Sequence, residues 1–89
     1  MKSNNELLKL HKYICLELKH QRKLMELKQD KVAFDLGISA SYLSDVENGK
    51  RGKTSLVTYL AIANYYDVDF KLILYRAEEK MNLDQESWK

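Results

Sequence analysis

Proline is absent from this 89-residue chain, and glycine occurs only three times. So little turn-forming material excludes a small sandwich or barrel, which must reverse direction many times. Cysteine occurs once, at Cys15, so no internal disulfide can form and a reducing cytoplasm is the expected compartment. Two histidines and that one thiol, none at ligand spacing, argue against a structural zinc. No apolar run approaches the roughly 18 to 20 residues of a membrane span. The opening residues, Met1-Lys2-Ser3-Asn4-Asn5-Glu6, hold no signal-peptide core. Paired catalytic carboxylates, a phosphate-cradling glycine loop and a nucleophilic triad are missing as well. The expectation is a non-enzyme without cofactor or metal, with any switch supplied from outside the domain. What is present is the 45% hydrophobic and 31% charged composition of one small folded domain, residues 1–89, rather than of a disordered tail.

Charge is nearly balanced overall but not along the chain. Residues 1–31 carry eight basic side chains against four acids, a net +4, with Lys2, Lys9, Lys12, Lys19, Arg22 and Lys23 among them. Residues 32–53 are neutral, and residues 54–89, with four basic and six acidic side chains, carry −2. A polyanion would meet the N-terminal two-thirds.

Apolar periodicity predicts helices almost throughout. Leu7, Leu10, Ile14 and Leu18 form one stripe of a helix over 5–22, started by Ser3, Asn4 or Asn5 and ended near Lys23–Glu26. A short helix over 29–36 turns Val32, Ala33 and Leu36 inward, and Gly37 caps it in the left-handed conformation. Ser39 then caps a helix over 40–48 that buries Leu43 and Val46, and Asn48-Gly49 closes it. After the basic loop Lys50-Arg51-Gly52-Lys53, Thr54 or Ser55 caps a helix over 55–66 with Leu56, Tyr59, Leu60 and Ala63 inward. Residues 68–75 alternate Val68, Phe70, Leu72 and Leu74 with Asp69, Lys71 and Ile73, so a β-strand is expected there. Phe70, Ile73, Leu74 and Ala77 would also fit a helix, but that helix would expose Leu72. The fold expected is mostly α, a compact bundle of four to five helices, with either a C-terminal strand or a fifth helix at 68–75.

Two short helices joined by a glycine turn form a helix-turn-helix. Ala33 is small where the helices cross, Gly37 permits a positive φ, and Ile38 and Val46 pin the second helix, leaving its N-terminus free for a groove. Gln29-Asp30-Lys31-Val32-Ala33, Leu36-Gly37-Ile38-Ser39 and Tyr42-Leu43-Ser44-Asp45-Val46-Glu47-Asn48-Gly49-Lys50-Arg51 together resemble the Cro and phage-repressor (XRE-type) helix-turn-helix domain over about residues 14–68. The resemblance implies a homodimer bound to a palindromic operator in double-stranded DNA. It implies that Gln29, Asn48, Lys50 and Arg51 contact the DNA backbone, with Lys53 extending the set; Tyr42 either offers its hydroxyl to a phosphate or packs in the core. It places Ser39, Ala40, Ser41, Ser44 and Asp45 at the positions that face base edges, and it pairs Glu47 with Arg22 inside the domain.

The base-facing set is short-limbed. Ala and Ser make no bidentate base contacts, so DNA shape and bridging water are expected to contribute to recognition. Residues 69–89 are expected to form a dimerisation element and tail, with Phe70, Leu72, Leu74 and Tyr75 as its apolar seam. A second reading makes the chain an antitoxin that binds a toxin and represses its own operon. That reading rests on Lys53-Thr54-Ser55-Leu56 and the strand at 68–75, which resemble antitoxins of the HipB type.

Overall fold

The computed structural model describes residues 1–50 and 54–86. Within them the chain runs through α1 (Asn4–Leu24), α2 (Gln29–Leu36), α3 (Ala40–Glu47), α4 (Leu56–Tyr65) and α5 (Phe70–Glu86). Each start has a local chemical reason. Ser3 and Glu6 form a reciprocal capping box on α1. Ser39 Oγ accepts from the Tyr42 N–H at the head of α3, and Ser55 Oγ accepts from the Thr58 N–H at the head of α4. Lys28 occupies the cap position of α2, and no side chain caps that helix.

Four helix ends close with one device. A residue with positive φ follows each helix, and the next N–H reaches back five positions to a carbonyl. Gly37 and Gly49 take this place after α2 and α3, with φ of 73° and 68°. After α1 and α4 it is filled by Glu26 and Asp67, both at φ 56°. The closing bonds are Leu27 N to Arg22 O, Ile38 N to Ala33 O, Lys50 N to Asp45 O and Val68 N to Ala63 O, at 2.9–3.1 Å. Leu27, Ile38 and Val68 pack their side chains onto the core, so three of the four turns are also apolar clasps. A left-handed residue with a Cβ costs roughly 1–2 kcal/mol, against an entropic cost of about 0.5–1 kcal/mol for placing glycine. Glu26→Gly should therefore raise stability by about 0.5–1 kcal/mol, and Gly37→Ala should lower it by about 1–2 kcal/mol, in urea titrations of the two variants.

The core gathers Cys15 and Leu18 of α1, Val32 and Ala33 of α2, Leu43 and Val46 of α3, Tyr59, Ile62, Ala63 and Tyr66 at α4, and Ile73 of α5. On α4 the inward stripe is thus Tyr59, Ile62, Ala63 and Tyr66. Leu56 and Leu60, expected inward, are exposed. The segment Leu56–Ala63 is apolar all round apart from Thr58 and Tyr59, so periodicity alone does not fix which face turns in.

The strand expected at 68–75 is not formed; the chain enters α5 there. Asp69, an outward strand position in the alternating pattern, acts as a helix cap: its carboxylate accepts from the Lys71 N–H at 2.9 Å. Ile73, Ala77 and Met81 then fall on one buried stripe four residues apart. Leu72 is 41% exposed, as a fifth helix requires.

α5 lies antiparallel along α1, and a polar ladder holds the two in register. Tyr13 hydroxyl donates to Asp84, Lys80 pairs with the buried carboxylate of Glu17, and Arg76 donates to Gln21. Each rung steps four residues up one helix and four down the other, which is one turn on each. No helix of the described residues is long and apolar enough to cross a membrane.

Candidate nucleic-acid interface

α2 and α3 form the helix-turn-helix pair, and the residues expected to face bases run from Ser39, the cap of α3, to Asp45. Ser39 and Ser41 are exposed there, and the Ser39 hydroxyl is already engaged as the cap of α3. Ala40 is half-buried and packs against the core, so it offers only part of its methyl surface. Ser44 is half-buried, and its hydroxyl accepts from Asn48 Nδ2 at 3.4 Å. Asp45 is half-buried, with its carbonyl closing the turn at Lys50. Tyr42 packs against the core with its side chain half-buried.

Asn48 and Lys50 are exposed on either side of Gly49. Arg51 and Lys53, expected to extend this basic turn, lie outside the described residues. The turn sits on α1: a Cβ at Gly49 would come within 3.2 Å of Lys12 Cγ, so Gly49 serves both the positive φ and the close approach.

Gln29 opens α2 with its side chain half-buried. Its amide donates to Glu47 Oε1 at 2.9 Å rather than capping the helix. Glu47 is 1% exposed and also accepts from Arg22 Nε at 2.7 Å and Nη2 at 3.1 Å. Arg22 Nη1 donates to the Leu27 carbonyl at 2.8 Å. The Glu47 hydrogen bonds hold the guanidinium above its ordinary pKa against the opposing effect of burial. One network therefore fixes α1, the first residue of α2 and the end of α3 together. The family resemblance implied the Arg22–Glu47 pair but not Gln29 as its third member. Gln29 lies 18 positions from Glu47, and only the helix-turn-helix crossing brings them together.

Uncapped, α2 presents the N–H groups of its first turn beside Lys28, a basic side chain without an ion pair among the described residues. The positive end of the helix macrodipole lies there too, which favours an anion. The other expected contact set lies on α5. Phe70 packs against the core and Leu74 is half-buried, whereas Leu72 and Tyr75 are exposed, the latter at 58%.

His11, Cys15 and Tyr59 form a separate, inward cluster. His11 Nε2 bonds the Tyr59 hydroxyl and lies 3.6 Å from Cys15 Sγ. Burial raises the Cys15 thiol pKa and pushes Tyr59 up to about 12, so both stay protonated and serve packing. No group of three metal-ligating side chains occurs among the described residues.

A family described as helix-turn-helix matches residues 18–73, from inside α1 to the first turn of α5. The comparison with curated proteins returned no match.

Proposed function

The chain belongs to the helix-turn-helix family of DNA-binding transcription regulators, and from that premise we propose that it is a repressor that binds a palindromic operator as a homodimer. The observation that supports the docking mode is the contrast between α2 and its neighbours. Ser3, Ser39, Ser55 and Asp69 occupy the other helix starts, while α2 carries Lys28 and leaves its first N–H groups without a side-chain partner. A backbone phosphate completes that helix end, with Gln29 held beside it by Glu47. A second phosphate meets Asn48, Lys50, Arg51 and Lys53 at the far end of α3. Between these two anchors the exposed edge of α3 enters the major groove with Ser39, Ala40, Ser41, Ser44 and Asp45. Tyr42 serves from the flank.

Short side chains at the base edge leave much of the discrimination to groove shape and water. Leu72 and Tyr75 form the exposed part of the dimer seam, with Phe70 and Leu74 supporting it from beneath. The antitoxin alternative drew on Lys53-Thr54-Ser55-Leu56 and on a strand at 68–75; the chain is helical from Phe70 onward, which removes the second of these supports.

Selection from a randomised duplex library should enrich an inverted repeat with half-site centres about 10 base pairs, or roughly 34 Å, apart. Recovery of no common sequence would overturn the operator reading. Lys50→Ala should weaken selected and unrelated duplexes alike and flatten the dependence of log K on log salt by about 0.9. Weakening confined to the selected sequence would instead place Lys50 at a base.

A further inference from the structure

The seventeen residues before the family match contain most of α1, and they carry a basic feature of their own. Lys9 and Lys12 lie one turn apart on α1 and are both exposed. Neither makes an ion pair or side-chain hydrogen bond among the described residues. By contrast Lys31, Lys71, Lys80 and Arg22 are each paired with a carboxylate. Lys9 and Lys12 flank a cleft of about 410 Å³ whose other walls are Asn5, Leu8, His11 and Gly49. No carboxylate lines it. His11 is turned toward Tyr59, so the two lysines dominate its charge.

The position of this cleft gives it a partner. Its far wall is Gly49, the residue between Asn48 and Lys50. The Lys12 stem lies against Gly49 because no Cβ intervenes. Lys12 therefore continues the basic turn at the end of α3 onto the side of α1, and Lys9 continues it by one more turn.

We propose that Lys9 and Lys12 form an additional phosphodiester-binding surface, which grips the DNA backbone next to the phosphates held by Lys50 and its turn. The proposal rests on the DNA-binding reading above and extends it to a part of α1 outside the family match. Two ammonium groups without an ion pair among the described residues, with the neighbouring Glu6 held in the capping box by Ser3, suit a strand of single negative charges, and the attraction is independent of base sequence. The added contacts strengthen selected and unrelated duplexes equally, which compensates for short base-facing side chains.

The test is fluorescence anisotropy of the full chain on a mixed-sequence duplex of about 30 base pairs, roughly three helical turns, over a range of KCl concentrations. Lys9→Gln/Lys12→Gln should flatten the salt dependence by about 1.8, the share of two phosphate contacts. Lys71→Gln, which removes a charge on α5 paired with Asp69, should leave it unchanged. Both variants lie on the surface, and unchanged thermal melts establish that they fold. A wild-type slope in the double variant would overturn the proposal, as would equal flattening per charge by Lys71→Gln, which signals net charge alone. So would a double variant that binds the duplex normally and loses only an acidic protein partner. Failure of the wild-type chain to bind any duplex would instead remove the DNA-binding reading itself.

Discussion

Glu47→Ala should destabilise the domain by about 3–5 kcal/mol, because it leaves the Arg22 guanidinium buried without its carboxylate. Arg22 is 8% exposed and Glu47 1%, so water cannot replace the lost partner without opening the helix-turn-helix from α1. A domain of this size has about 5–15 kcal/mol in total, and each kcal/mol is worth roughly 4–8 °C in Tm. The expected fall in Tm is therefore more than about 10 °C, measured by thermal melts followed by circular dichroism. Arg22→Met removes the charge that Glu47 neutralises, so Glu47→Ala should cost less in that background. It should still cost something, since Gln29 also donates to Glu47. Additive losses in the double-mutant cycle would show that the residues do not couple. In the folded fraction Glu47→Ala should also weaken DNA binding, as Gln29 loses the bond that orients it.

Leu72→Glu/Tyr75→Glu should give a folded monomer whose affinity for the inverted repeat falls by about 10²–10⁴. That range is what linking two binding modules contributes through effective concentration. Affinity for an isolated half-site should change little. Both side chains are on the outer face of α5, away from Ile73, Ala77 and Met81, so the core does not depend on them. This separates dimerisation from folding, which deletion of α5 would not do. Sedimentation velocity reads the mass, and anisotropy on full and half sites reads the affinities. A dimer that survives this variant but is broken by Leu60→Glu would move the seam to the exposed face of α4. A wild-type chain that is monomeric at tens of micromolar and still binds a palindrome tightly would remove the dimer altogether.

Much of the architecture follows from local chemistry and so is legible in the sequence. Ser3, Ser39 and Ser55 cap because a hydroxyl at that position satisfies an orphan N–H within three residues. Gly37 and Gly49 end helices because positive φ costs glycine least. The turn over Leu36–Ser39 follows from the same local chemistry, and the Arg22–Glu47 pair is implied by the family resemblance. The residues that close α1 and α4 were not legible in this way, although the positions of both ends were. Glu26 and Asp67 adopt positive φ against their preference, because Leu27 and Val68 must be delivered to the core.

Tertiary structure decided the remainder. Alternating and helical patterns overlap in Phe70–Ala77, and a strand there would find no partner strand among the described residues. A helix satisfies its own backbone, buries Ile73, Ala77 and Met81, and places Arg76, Lys80 and Asp84 against Gln21, Glu17 and Tyr13. Those rungs join residues 55 to 71 positions apart, a distance at which periodicity carries no information. The sequence by itself determined where the helix-turn-helix lies, since caps, turns and short spacings act within a few residues. Only packing decided which face of the all-apolar α4 turned inward, whether the segment after Asp69 became strand or helix, and that Gln29 joined Glu47, because each depends on burial shared between distant elements.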